Sequence, residues 1–274
     1  MAIDEFEIIK SGWPAQIPLA EKTRRNSIKP DWFGAALGNR QAEFAGAVRA
    51  ALSLHTAAAA QAIEHQHQRT NSMRCPAFFD DVSKIVLYDP LAEFLGAAEG
   101  GVIEYAYPDA VKSAGHSCPT VAGAYLMNLK ALAALYQDGL PQRGGIRVQF
   151  RDDAADGVTG VVANVSALIT GAAQDNGFKG IGGRFDRRNL LSFNAGFGAQ
   201  ARFERVDSGA AVAVSYRPER VPIAPAAGAL MQKVAAGAAS VEEAHEFRAL
   251  WQDRVKRILI DHFADGEMIV LAKG

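Results

Sequence analysis

The sequence predicts an α+β fold: a mixed sheet packed against helices, with an N-terminal helical extension and C-terminal helices. Three observations predict it. Strand-like and helix-like segments follow one another in mixed order, where a doubly wound sheet would alternate them strictly. Asp207-Ser208-Gly209 joins two short strand-like runs as a hairpin. Both ends of the chain carry helical periodicity.

The elements follow in order. Residues 1–33 mix Trp13, Pro14, Pro18, Pro30 and Trp32 with charges, which suits an extended arm. From Asn39 to about Gln68 the chain is Ala-rich, with Phe44, Val48, Leu52 and His55 at helical spacing, and predicts a long helix. Its polar end, Glu64-His65-Gln66-His67-Gln68, reads as a solvated terminus. Ser83 to Tyr88 predicts a strand, closed by Asp89-Pro90, which caps a short helix over Leu91 to Ala97. Gly100 and Gly101 lead into a second strand, Val102 to Tyr107, and Pro108-Asp109 opens a helical turn. A helix from Pro119 to about Gln137 follows, with Tyr125, Leu129, Leu132 and Tyr136 on one face.

Gly144 to Phe150 alternates as a strand, and Gly157 to Ile169 predicts a helix buried against the sheet. Arg184 to Asn194, Gln200 to Arg205 and Ala211 to Tyr216 predict strands. Two helices close the chain, Ala224 to Val234 and Ser240 to Phe263. The second opens on a capping box, Ser240 with Glu243. One domain over 1–274 is expected: an arm and Ala-rich helix (1–75), a core (76–220) and C-terminal helices (221–274).

Composition narrows the function. The chain is 49% hydrophobic, and 29 Lys and Arg nearly balance 30 Asp and Glu, so no field for a nucleic-acid partner is expected. No window reaches the roughly 18 apolar residues of a membrane span, and Asp4, Glu5 and Glu7 stand where an export signal would want positive charge. A cytoplasmic protein that does not enter a membrane is the expectation. The two cysteines, Cys75 and Cys118, are too few for a disulfide scaffold or a four-thiolate zinc module.

Chemistry centres on Gly115-His116-Ser117-Cys118-Pro119. Gly115 allows a sharp bend and Pro119 fixes a first helical turn, which places the sulfur at a helix N-terminus. Backbone N–H groups and the helix dipole there favour a thiolate, and the adjacent imidazole adds a second donor, so His116 and Cys118 suit a divalent transition metal, zinc first. The alternative is a half-buried cysteine acting as a small apolar residue, with His116 capping a loop. Cys75-Pro76 repeats the pairing, and Cys75 is either an additional ligand or thiol or a structural residue. Asp80, Asp81 and Asp109 are oxygen donors whose ordinary task is turn capping. The glycine-rich stretch Gly177 to Arg184 reads as a tight turn before a strand, while Arg184, Arg187 and Arg188 are candidates for binding an acidic substrate or cofactor.

The segment Gly115 to Pro119, followed by Ala122-Gly123-Ala124-Tyr125 and Lys130-Ala131-Leu132, resembles the signature of the FmdE-like family, named after a component of formylmethanofuran dehydrogenase. Leu168-Ile169-Thr170-Gly171 and Arg188-Asn189-Leu190 resemble its second segment, so the likeness spans residues 84–193. It implies an α+β core, usually dimeric, in which the His and Cys of the first motif line a groove that holds a metal. Members are implicated in molybdenum enzyme systems of methanogenesis, and most bacterial ones have no settled reaction. The family commonly has a cysteine after its Thr-Gly element. This chain has Ala172 there and lacks the cysteines of the zinc finger that some members append.

Three activities are compatible with these residues: a metal-dependent enzyme acting on a small molecule, a non-catalytic metal or cofactor carrier serving a partner enzyme, and thiol redox chemistry between Cys75 and Cys118. A homodimer is expected, with the Ala-rich helix as one packing surface.

Overall fold

In a computed structural model the described residues are Met73–Gly274. The extended arm, the Ala-rich helix and the histidines near its end lie outside them. The rest forms two sheets and six helices of α+β type.

The first sheet is a small antiparallel pair, β1 (Ile85–Tyr88) and β2 (Val102–Tyr105), in register from Ile85 opposite Tyr105 to Tyr88 opposite Val102. Between them lies α1 (Pro90–Phe94). Asp89 caps it, accepting from the N–H groups of Leu91 at 2.9 Å and Ala92 at 3.2 Å, as Asp-Pro at a helix start predicts. The chain continues through α2 (Tyr107–Ala114) into α3 (Pro119–Leu135).

Helix α3 is the centre of the core. Val121, Ala122, Ala124, Tyr125, Leu126, Ala131 and Leu132 are all at most 1% exposed. A helix buried around its circumference needs neighbours on every side. It packs on the second, larger sheet, beside α4 (Thr159–Thr170), and against the C-terminal helices. Its Asn128 carries polarity into this core, donating to Ala124 O and to Ser166 Oγ of α4, each at 2.9 Å.

The second sheet holds β4 (Leu191–Ser192), β3 (Ile146–Phe150), β5 (Ala201–Arg205), β6 (Ala211–Tyr216) and β7 (Ile269–Lys273), in that spatial order. The β3–β4 pair is parallel and the others antiparallel, which makes the sheet mixed. Strands β6 and β7 carry most of the contact with α3. Period-two alternation sends Ile146, Val148, Phe150, Phe203, Val212, Val214 and Tyr216 into the core. The other face is polar: Arg147 pairs with Glu204 at 2.5 Å, directly opposite it in register, and Arg202 bridges to Glu204 and Gln149.

Two helices, α5 (Pro225–Ala235) and α6 (Val241–Lys256), pack together at the C-terminal end. The Ser240–Glu243 capping box forms, with Ser240 Oγ accepting from Glu243 N at 3.1 Å and Glu243 Oε2 from Ser240 N at 2.9 Å.

Two expected elements differ. The strand expected over Arg184 to Asn194 is reduced to Leu191–Ser192. Phe185, Asn189 and Asn194 adopt positive φ, incompatible with an extended run, and Arg187 is drawn inward by the Asp89 carboxylate. The expected turn is present, with Gly182 and Gly183 at positive φ between the mutually bonded Ile181 and Arg184. The helix expected to run to Phe263 stops at Lys256 and widens into a π turn over Arg257–Asp261, His262 N bonding to Arg257 O at 2.8 Å. The chain then adds β7, which the periodicity did not predict.

Candidate functional site

The Gly115–Pro119 segment is the bend between α2 and α3. Gly115 ends α2 in the left-handed conformation, φ 77°, its N–H bonding to Val111 O at 2.8 Å. The chain turns sharply there and re-enters a helix with Pro119 as its first residue. Cys118 is the N-cap: its Sγ accepts from Val121 N at 3.5 Å, in the place a serine or aspartate oxygen commonly takes. The sulfur thus faces the positive end of a 17-residue helix, and the residue is 8% exposed.

His116 lies on the exposed side of the bend. Its Nδ1 is 3.0 Å from Ala114 O. A carbonyl only accepts, so Nδ1 carries the hydrogen and the lone pair of a neutral ring sits on Nε2. A backbone carbonyl on one ring nitrogen is the usual orienting contact of a metal-binding histidine.

Ser117 is the anchor of the segment. Its Oγ donates to Gln252 Oε1 at 3.0 Å, and its carbonyl accepts from Trp251 Nε1 at 3.0 Å and Gln252 Nε2 at 3.2 Å. Because Ser117 directs its hydroxyl hydrogen to Gln252, Tyr107 donates its own to Ser117 Oγ, 3.0 Å away. The bend is therefore held by α2 from within and by α6 across the fold. Burial pushes the Tyr107 and Tyr216 hydroxyls up, and Cys118 adds a smaller upward contribution to each. Both hydroxyls are neutral near pH 7.

The other candidates are dispersed. Cys75 is half-buried against the hydrophobic core and forms no disulfide with Cys118. Asp109 caps α2 by accepting from Ala106 N at 2.9 Å. Arg187 is almost fully buried, its Nη2 on Asp89 Oδ1 at 2.7 Å, while Arg143 Nη1 reaches Oδ2 at 3.0 Å. Burial would raise the Asp89 carboxyl, but the two guanidiniums and the Ala92 N–H outweigh it and hold it below the ordinary value. Arg188 is paired with Asp186 at 2.6 Å. Arg184 is exposed over the ring of Phe185, its Cζ 4.7 Å from the centroid, and lines an open surface pocket with Arg143 and Arg187. The three arginines thus have three different settings.

Among the described residues no three His, Cys, Asp or Glu side chains gather as a metal cluster. A zinc ion takes three or four protein ligands, so His116 and Cys118 are donors of the right kind but only part of a set. Tyr107, Tyr216, Trp251 and Gln252 went unpredicted as neighbours of the motif. Ser117 and Gln252 are separated by 135 residues, and no local spacing links them.

Fold and site define an α+β protein whose long central helix is capped by a cysteine and preceded by an outward-facing histidine. No protein-family model matches the chain, and no curated protein matches it. No helix among the described residues is long and apolar enough to cross a membrane.

Proposed function

We propose that this chain is a cytoplasmic, homodimeric metal-binding protein in which His116 Nε2 and Cys118 Sγ hold a divalent transition metal, zinc first, and which acts on a small molecule. The observation that carries the reading is a sulfur capping α3 two residues along the chain from an imidazole whose Nδ1 is tied to Ala114 O at 3.0 Å. The thiol is held at the positive end of a helix, and the ring is oriented as second-sphere bonds orient ligating histidines. The remaining donors come from a second copy of the chain or from a bound small molecule. A metal with an open position would polarise a carbonyl or activate a water. The chain's own part is to orient the two donors through Ser117 and to keep neutral hydroxyl donors beside them. The resemblance to the FmdE-like family supports the same reading, carried by its two motifs alone.

The second reading is a metal or cofactor carrier. It is favoured by the exposure of His116, which suits an ion passed on to a partner enzyme.

Elemental analysis of purified protein tests the assignment. About one metal per chain is expected, with loss in Cys118→Ser and in His116→Ala while circular dichroism stays native. Full metal content in both variants would refute it. Stoichiometric metal without turnover of any small molecule would favour the carrier.

A further inference from the structure

An open pocket of about 440 Å3 lies between the end of β1, the segment leading into β3 and the glycine-rich stretch that ends in Arg184. Three arginines, Arg143, Arg184 and Arg187, line it against a single acidic residue, Asp186. The backbone fixes where Arg184 stands. Ile181 N bonds to Arg184 O at 2.9 Å and Arg184 N to Ile181 O at 3.0 Å, which closes a tight turn. Phe185 follows at φ 66°, its ring against Phe94 of α1 at 5.3 Å and under the Arg184 guanidinium at 4.7 Å. That ring is the guanidinium's only contact of this kind: among the described residues it has no carboxylate partner and makes no hydrogen bond.

The carboxylates around the pocket are committed elsewhere. Asp186 is held by Arg188 through bonds of 3.0 and 2.6 Å, and Glu93 accepts from the Tyr88 hydroxyl at 2.5 Å. Asp89 is shared between Arg143 and Arg187. One carboxylate for two guanidiniums leaves positive charge in excess. Burial lowers the Arg187 value more than Asp89 raises it, and the Arg143 charge adds to the lowering. The Arg184 charge is felt in the same pocket: Glu93 and burial hold the Tyr88 hydroxyl up, and Arg184 opposes them. What such a setting lacks is an anion, and a guanidinium presents a fork of donors that matches carboxylate and phosphate oxygens.

We propose that this pocket binds a small organic anion, whose phosphate or carboxylate group accepts from the Arg184 guanidinium while the unmatched charge of Arg143 and Arg187 adds attraction. The pocket's size falls within the roughly 300–1,000 Å3 of small-molecule sites, which leaves room for an uncharged body beside the anionic group. Arg188, already paired with Asp186, takes no part. The assignment stands whether or not His116 and Cys118 hold a metal.

The experiment titrates the full chain with glycerol phosphate, glycerate and glycerol, related molecules that differ in charge, following the backbone amide resonances of Gly183, Arg184 and Phe185. Both anions should shift them saturably and glycerol should not, and the tighter anion identifies the group the site prefers. Arg184→Gln should weaken that anion at least about tenfold, the size of a hydrogen bond to a charged group. Arg184 is exposed, so circular dichroism of this variant should stay native. Arg151→Gln, which removes an exposed charge outside the pocket, should bind as the wild type does. No saturable response to either anion, an equal response to glycerol, an Arg184→Gln protein that binds as tightly as the wild type, or an equal loss in Arg151→Gln would overturn the proposal.

Discussion

Ser117 and Gln252 hydrogen-bond to each other in both directions, the serine hydroxyl donating to the amide oxygen at 3.0 Å and the amide nitrogen donating to the serine carbonyl at 3.2 Å. This double contact ties the bend carrying His116 and Cys118 to α6, while Tyr107 closes the network from α2. Ser117→Ala should cost about 1–3 kcal/mol, because Tyr107 and Gln252 both lose a partner in a half-buried setting. Urea denaturation would measure it. Combined with Gln252→Ala the loss should be less than the sum of the two, since both substitutions break the bond between Ser117 Oγ and Gln252 Oε1. Under the metal reading Ser117→Ala also lowers metal affinity, by about 10- to 100-fold if Ser117 acts as outer-shell partners commonly do. Unchanged stability would show that the bend is held by other contacts.

Asp89 illustrates why one part of the chain was legible and another was not. Its place before Pro90 marks a helix cap, and the cap forms. Its second task, neutralising Arg143 and Arg187 from 54 and 98 residues away, has no local trace. That task turns Arg187 inward and helps break the strand expected over Arg184 to Asn194 into loop. The Gly-His-x-Cys-Pro segment was legible for the same reason as the cap: glycine, N-cap and proline each act within a few residues. Ser117, sitting between the two donors, shows no such local pattern. Its role depends on a helix that reaches it only through the tertiary fold. Strand β7 was hidden because its outer end is exposed and its sequence lacks clean alternation.

The Asp89 network has a pH signature. A carboxyl held below its ordinary value in the folded state contributes stability that is complete above the unfolded value. That contribution is lost as pH falls through the folded one. Stability should therefore drop as the medium is acidified below about pH 4, near the unfolded aspartate value. Asp89→Asn should cost about 3–5 kcal/mol at pH 7, since it leaves Arg187 buried without its counter-charge. The gap between wild type and variant should then narrow toward pH 3. Thermal melts from pH 3 to 7 would check it. A gap that stays constant across that range would show that the Asp89 charge does not carry the effect.

Gly123 and Tyr216 give the most local prediction. The glycine lies in the buried middle of a helix, where alanine is normally better by roughly 1 kcal/mol. Here a Cβ would meet Tyr216 Cε1 at 2.2 Å and Cδ1 at 2.3 Å. Those contacts are far inside any van der Waals separation, so either the ring or the helix must move. Gly123→Ala should therefore destabilise by about 1–3 kcal/mol, the usual range for overpacking a core. In a Tyr216→Leu background the ring is gone, and the alanine should cost far less or become favourable. The two substitutions should consequently show a coupling of about 0.5–3 kcal/mol in a double-mutant cycle. Additive losses in the cycle would mean that the ring is not seated on this glycine.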